Sequence, residues 1–219
     1  MNIEAVIFDL DGVLVHTDRY HYLSWERICC EEGIPFDETI NKRLRGVSRV
    51  DCVNILVEKT ARSYSTEEKM QVAERKNGYY KEMLHSLSAA DLPLGVVKIL
   101  DSLREKRMKL AIGSASQNAR YILERLGLSD KFDAVADGSE IRSSKPDPEV
   151  FLLAASKLEA RPDRCLVIED SAAGIEAAFR GGMWVAAVGD ADLYEMADYH
   201  IGHIEELLTI LEEKGGVSL

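Results

Sequence analysis

Two carboxylates in Phe8-Asp9-Leu10-Asp11-Gly12-Val13 follow directly on the short apolar run Ala5-Val6-Ile7. Such a run reads as a buried strand. It sets Asp9 and Asp11 where that strand ends, with Gly12 releasing the backbone into a turn. Carboxylates at the C-terminal edge of an open α/β sheet are placed for ligand chemistry rather than stability, because nearby anions repel and lose hydration as they approach. A divalent cation would relieve that repulsion, and oxygen ligands suit Mg²⁺. Other polar groups follow apolar runs in the same way. Ser114 follows Leu110-Ala111-Ile112-Gly113, Lys145 comes after Ala134-Val135-Ala136, and Glu169-Asp170 follow Cys165-Leu166-Val167-Ile168. A right-handed parallel sheet would bring all of them to one edge. Acidic oxygens, a hydroxyl, a helix N-terminus and one cation together suit phosphoryl transfer, in which developing anionic charge needs metal, Lys and N–H donors.

The elements that must position these groups can be read from texture. A further apolar run, Val185-Ala186-Ala187-Val188, and helical patterns over 97–106, 118–126, 148–157 and 172–180 alternate with the runs above. Strands alternating with helices predict a parallel sheet with helices on both faces. Residues 18–88 are polar, charged and without a strand pattern. Trp25, Ile28, Cys29 and Glu32 follow helical spacing with Gly33 as a stop, and Ser65 with Glu68 forms a capping box that opens a long helix. The predicted fold is therefore α/β: a Rossmann-like core of residues 1–17 and 89–219, with an all-helical cap domain, 18–88, inserted after the first strand. Linkers near 12–17 and 88–95 could act as hinges.

Composition narrows the function classes. The 219 residues suffice for one core plus a small accessory domain, and the net charge of −11 argues against nucleic acid and anionic membrane as bulk partners. A small anionic substrate stays open, because a few local cations in a closed cleft can overcome the far field. Cys29, Cys30, Cys52 and Cys165 lack zinc-ligand spacing and read as reduced thiols. No secretory pattern or long apolar stretch is present, so the expectation is a cytoplasmic protein.

The run Asp9-Leu10-Asp11-Gly12-Val13 with Thr17, the Gly113-Ser114-Ala115-Ser116 motif, Ser144-Lys145-Pro146 and Glu169-Asp170 resembles the haloacid dehalogenase superfamily. Each motif alone is weak; their combination, in order and over nearly the full chain, is specific. Arg45-Gly46-Val47-Ser48-Arg49, with Tyr20-His21 and Arg75-Lys76-Asn77, is similar to the β-phosphoglucomutase branch. The resemblance implies roles. Asp9 would be the nucleophile that becomes an aspartyl phosphate, and Asp11 the general acid and base. Mg²⁺ would be held by Asp9, the Asp11 backbone carbonyl and Asp170, with Glu169 supporting. Ser114, Ala115 and Lys145 would hold the transferring phosphoryl group. Arg49, Ser116 and Asn118 would hold a second, non-reacting phosphate, and His21, Trp25, Gly46, Val47 and Lys76 would line the sugar side. The implied partners are a sugar phosphate and its bisphosphate, handled by a monomer. The implied reaction interconverts β-D-glucose 1-phosphate and glucose 6-phosphate.

The chain departs from the family pattern at four places: His16 stands for Asp, Arg45 for Lys, Cys52 for Ser and Gln117 for Lys. Plainer readings also exist for individual residues. The Asp9–Asp11 pair can be turn-forming, Lys145 a surface lysine, Trp25 a core residue, and His21 and Lys76 structural or solvated groups. At the level of function, a Mg²⁺-dependent sugar-phosphate phosphatase would use the same Asp9 and Asp11, differing in whether water or a sugar hydroxyl accepts the phosphoryl group. A catalytically silent binding protein is a third reading, against which the complete acid set weighs.

Overall fold

The computed structural model describes residues 2–58, 60–189 and 195–214. Six strands, β1 (Ala5–Phe8), β2 (Lys109–Gly113), β3 (Ala134–Ala136), β4 (Cys165–Glu169), β5 (Trp184–Val188) and β6 (Tyr199–Ile201), form one sheet in the order β3-β2-β1-β4-β5-β6. All neighbours are parallel; β1 lies between β2 and β4, with Phe8 opposite both Ile112 and Ile168. The strand order reverses at β1 and β4, so the crevice at their C-terminal ends is where a ligand fits between diverging connections.

Both faces of the sheet are buried, which is why its strands are continuous apolar runs. Val6, Phe8, Leu110, Ile112, Leu166 and Ile168 face one layer of helices. That layer is α5 (Val96–Glu105), α6 (Ala119–Leu126) and α9 (Leu207–Lys214). Ala5, Ile7, Ala111, Val167 and Val185 face α7 (Glu149–Lys157) and α8 (Ala172–Arg180) on the other side. Phe151 of α7 presses so close to β2 that a Cβ on Gly113 would stand 2.6 Å from its ring. The helical patterns read from sequence match these elements to within a residue or two. The expected core stretch 89–219 includes residues 190–194 and 215–219, which lie outside the described residues.

Residues 18–84 are helical throughout their ordered elements: α1 (Asp18–Glu32), α2 (Glu38–Leu44), α3 (Arg49–Val57) and α4 (Thr66–Leu84). Gly33 ends α1 in the left-handed conformation at φ 67°, and Ser65 and Glu68 make the reciprocal bonds of a capping box at α4. A separate apolar cluster, including Trp25, Ile28, Leu44, Val53, Leu56 and Val72, lies among these helices. The linker 12–17 is not a loose tether: Val13, Leu14 and Val15 are buried in the sheet's own cluster, as are Tyr80 and Leu84 from the last turns of α4. No described helix is long and apolar enough to cross a membrane.

Glu159 follows α7 at φ 52°, where the Ala160 N–H closes back on the Ala155 carbonyl. This is the helix-ending position that favours glycine, and a Cβ there costs about 1–2 kcal/mol. Glycine's greater freedom when unfolded returns part of the gain. Glu159 is exposed. Glu159→Gly is therefore expected to stabilise by about 0.5–1 kcal/mol, a rise of about 2 °C in Tm by calorimetry.

Candidate active site

Asp9 leaves β1 with its backbone N–H donating to the Ile168 carbonyl of β4 at 2.9 Å, so the two strands that flank the crevice fix its position. Lys145 is fully buried behind it, its Nζ 2.5 Å from Asp9 Oδ1 and 2.7 Å from Glu169 Oε2. Glu169 spends its other oxygen, Oε1, on the backbone N–H groups of Asp170 and Ser171 and on the Ser171 hydroxyl, each at 2.9 Å. The Arg45 guanidinium donates to Asp170 Oδ2 and lies 3.7 Å from Asp18. Gly12, at φ 96°, sits where any Cβ would collide with the Asp170 carboxylate. A turn that only glycine can make thus lets Asp170 approach the Asp9–Asp11 loop.

Asp9, Glu169 and Asp170 each offer an oxygen within 4.8 Å of the others. Their three carboxylates outnumber the two cations that meet them, Lys145 and Arg45, which leaves negative charge for a cation to neutralise. All-oxygen donors suit Mg²⁺, and the set fits it. Glu169 already has both oxygens engaged by Lys145 and backbone donors, so it serves by holding Lys145 and the loop that carries Asp170. Burial pushes the Asp9 carboxyl well above the usual carboxylate range; Lys145 opposes this, and Glu169, Asp170 and Asp11 add to it. Burial and the neighbouring Glu169 raise Asp170 to about 8, against the pull of Arg45.

Asp11 has different surroundings. The Thr17 hydroxyl donates to its Oδ1, and the Tyr80 hydroxyl lies 3.4 Å from the same oxygen. Burial raises its pKa, with the Thr17 hydrogen bond lowering it. A carboxyl with an elevated pKa is suited to exchanging protons near neutrality. His21 Nε2 is 3.9 Å from Asp11, and His21 Nδ1 is 2.9 Å from the Lys76 ammonium. Lys76 is buried over the rings of Trp25 and Tyr80, 4.8 and 4.7 Å from their centroids, and burial depresses it to about 7. The same burial, with Lys76 and Arg49 nearby, holds His21 well below its ordinary pKa, as a neutral imidazole.

These groups surround one cavity of about 500 Å³. Asp9, Asp11, Ser114, Ala115, Ser116, Asn118, Glu169 and Asp170 line it from the sheet edge; His21, Trp25, Gly46, Val47, Arg49 and Lys76 line it from the helical block. Every expected residue except Lys145 faces the cavity; Lys145 acts from behind Asp9. Lys145 also differs in origin, since it comes from the long segment between β3 and α7 rather than from the end of β3, where buried Asp137 stands. Trp25 is both a core residue of the helical cluster and the ring beneath Lys76. The block reaches the sheet edge at Gly46, where a Cβ would be 2.7 Å from Ser171 Oγ, and at Asp51, which accepts from Ser144 at 2.7 Å. Arg49 reaches across to Gln117, its Nη2 donating to Oε1 at 3.1 Å.

Sequence reasoning missed Tyr80, Asp51, Ser144 and Glu74 as site residues. Tyr80 sits at an apolar position of a long helix, where periodicity gives no sign that its hydroxyl has a polar partner. The Arg49–Glu74 and Asp51–Ser144 pairs join segments 25 and 93 residues apart, beyond the reach of any spacing rule.

The model of the haloacid dehalogenase-like hydrolases matches residues 3–182, and the chain belongs to that family. Within it, the chain is 38% identical to a β-phosphoglucomutase of Bacillus subtilis over 215 residues, covering 97% of this chain and 95% of the relative. It is 32% identical to a phosphorylated carbohydrates phosphatase of Thermotoga maritima, covering 96% and 99%. The crystal structure of β-phosphoglucomutase from Clostridium difficile superposes with a TM-score of 0.92 at 36% identity, covering 96% of each chain. These similarities support an enzyme acting on small phosphorylated sugars and include both mutases and phosphatases.

Proposed function

We propose that the protein is a β-phosphoglucomutase-type isomerase, interconverting β-D-glucose 1-phosphate and glucose 6-phosphate through phospho-Asp9 and a 1,6-bisphosphate. One observation carries this reading: anion-binding groups stand at two places in one cavity. Ser114 accompanies Asp9 at the sheet edge with Lys145 behind it, while Arg49 reaches from the helical block toward the loop after β2 that carries Ser116 and Asn118 and would complete a second set with them. A hydrolase of monophosphates needs only the first set. A mutase must grip one phosphate while the other reacts, and Arg's planar fork suits that grip.

In the proposed cycle phospho-Asp9 meets β-glucose 1-phosphate, whose own phosphate rests on Arg49, Ser116 and Asn118. Asp11 takes the proton from the 6-hydroxyl as that oxygen bonds to phosphorus and the bond to Asp9 breaks. After the bisphosphate turns, an Asp9 oxygen attacks the 1-phosphate, the O1–phosphorus bond breaks, and Asp11 returns the proton to O1. Lys145 meets the charge that builds on the transferring group. Mg²⁺, held by Asp9, the Asp11 carbonyl and Asp170, would supply the charge neutralisation that lets a carboxylate approach a phosphate. The helical block, 18–88, would close over the core, 1–17 and 89–219, to exclude water from the acyl phosphate. The linker near 88–95 would flex, while the buried 12–17 segment would hold its place against the core.

The test is to incubate the Mg²⁺-loaded protein with β-glucose 1-phosphate and trace glucose 1,6-bisphosphate. Glucose 6-phosphate is expected as the main product; steady orthophosphate release without it would favour the phosphatase reading. That second reading draws on one specific feature, since Arg49 meets a neutral amide at Gln117 and a carboxylate at Glu74 rather than further cations. Adding a cation there should strengthen the grip, so Gln117→Lys is expected to tighten glucose 1,6-bisphosphate binding, read as a lower KM. An unchanged KM would remove Gln117 from the anchor. Asp11→Asn is expected to cost about 10²–10⁴-fold in kcat, the usual worth of acid–base help. A near-native rate would require another acid.

A further inference from the structure

Arg49 Nη1 donates to Glu74 Oε2 at 3.2 Å, and Asn77 Nδ2 lies 3.5 Å from the other oxygen, Oε1. Asn77 in turn accepts from Asn118 Nδ2 at 3.0 Å, while Arg49 donates its second nitrogen to Gln117. Arg49, Glu74 and Asn77 of the helical block and Gln117 and Asn118 of the core are thus linked into one ring, closed by the peptide bond between Gln117 and Asn118, and all five line the cavity. Within that ring the carboxylate of Glu74 does what the second phosphate of a bisphosphate would do: it brings two acceptor oxygens to the arginine and amide donors at that end of the cavity.

We infer that Glu74 is a built-in occupant of the second phosphate's anchor, competing with the substrate's non-reacting phosphate for Arg49 and lowering the affinity with which the site grips it. The inference rests on the mutase reading above and deepens it. Its physical basis is the difference between the two anions. Glu74 offers one negative charge on a side chain that is 74% exposed, so water screens its hold on Arg49, which is only 16% exposed. A phosphate dianion carries more charge and more acceptor oxygens, so it displaces Glu74, whereas a singly charged or neutral group does not. Once displaced, Glu74 remains near the bound phosphate and repels it. The site is therefore weaker toward a phosphate than Arg49 with a neutral neighbour would be.

Calorimetric titration of glucose 1,6-bisphosphate tests this, using the Mg²⁺-loaded full chain with Asp9→Asn to stop turnover. Glu74→Gln is expected to tighten binding about three- to fivefold, in keeping with one exposed charge pair. Arg49→Ala is expected to weaken it at least tenfold, and Glu74→Gln added to Arg49→Ala to tighten it by less than Glu74→Gln does alone, since only the direct repulsion is then relieved. Glu74 lies on the exposed side of α4, so its variant should fold, which circular dichroism checks. If Arg49→Ala weakens binding while Glu74→Gln leaves it unchanged or weaker, the inference falls and the second anchor stands; weaker binding would make Glu74 a group that positions Arg49 for substrate. If neither substitution matters, or Asp9→Asn binds no bisphosphate, the second anchor and the inference fall together.

Discussion

Asp9→Asn is expected to lower mutase turnover by about 10⁵-fold or more, the scale seen when a covalent nucleophile is removed, while leaving the fold and its Tm nearly unchanged. The side chain is held by a backbone bond to β4 and by Lys145, and an amide of the same shape keeps the first of these. It loses the charged oxygen that must bond to phosphorus. Burial and three neighbouring carboxylates already make Asp9 reluctant to ionise, so its reactivity depends on Lys145 and on a bound cation. The variant should therefore be inert at every pH, not merely shifted along the pH axis. Stopped assays for glucose 6-phosphate and thermal melts read the two halves of this prediction. Measurable turnover above background would place the nucleophile elsewhere.

Lys145→Met is expected to damage both activity and stability. Its ammonium sits between Asp9 and Glu169 with no exposure, and its removal leaves two buried carboxylates without their cation. Breaking a buried ion pair from one side costs about 3–5 kcal/mol. Loss of a cation from the transferring group costs a further 10²–10³-fold in kcat, on the order of one preorganised donor. The pH dependence of stability should also change. Glu169 is raised by burial but brought below its ordinary value overall by Lys145 and its hydrogen bonds. In the parent protein its contribution is present above the unfolded-state pKa and lost as pH falls through the folded one. Without Lys145 the carboxyl rises, so the variant should be relatively more stable when Glu169 is protonated and lose that as pH increases. The Tm gap between parent and variant, measured in chelator, should therefore be wider near pH 8 than near pH 5. A constant gap would mean that Lys145 does not govern Glu169.

How much of this could be read from the chain depends on which kind of signal each part leaves. Strands β1 to β5 were legible because a parallel sheet buried on both faces needs uninterrupted apolar runs, and Ile7, Ile112 and Ile168 stand inside them. Strand β6 was not, since Tyr199-His200-Ile201 is short and mixed, with only Ile201 fully covered. The acid pair and Glu169-Asp170 were legible because carboxylates at strand ends have no structural purpose that compensates their repulsion. Lys145 was legible as a cation of the site, but its route was not. The segment after β3 runs past buried Asp137 before turning back, and only tertiary packing fixes that path.

The helical block left the weakest traces. Its helices show apolar spacing, which locates Trp25 and Tyr80 as covered positions but says nothing of the Lys76 ammonium above both rings. His21 and Lys76, ambiguous in sequence between solvated and functional, meet at 2.9 Å beside Asp11. The contacts that tie the block to the core, Arg45 to Asp170, Asp51 to Ser144 and Arg49 to Gln117, all join distant segments. Two of these, at Arg45 and Gln117, use residues that depart from the family pattern. The groups proposed to carry the reaction therefore lie on the sheet, where sequence reads well, and the proposed second anchor lies between block and core, where it does not.

Rapid quenching during turnover of β-glucose 1-phosphate, followed by peptide mass spectrometry, tests the central claim most directly. The account predicts a phosphoryl group on the Asp9 side chain, appearing within the first turnovers and absent from Asp9→Asn. Sustained conversion to glucose 6-phosphate with Asp9 never phosphorylated, or with the label on another residue, would contradict it.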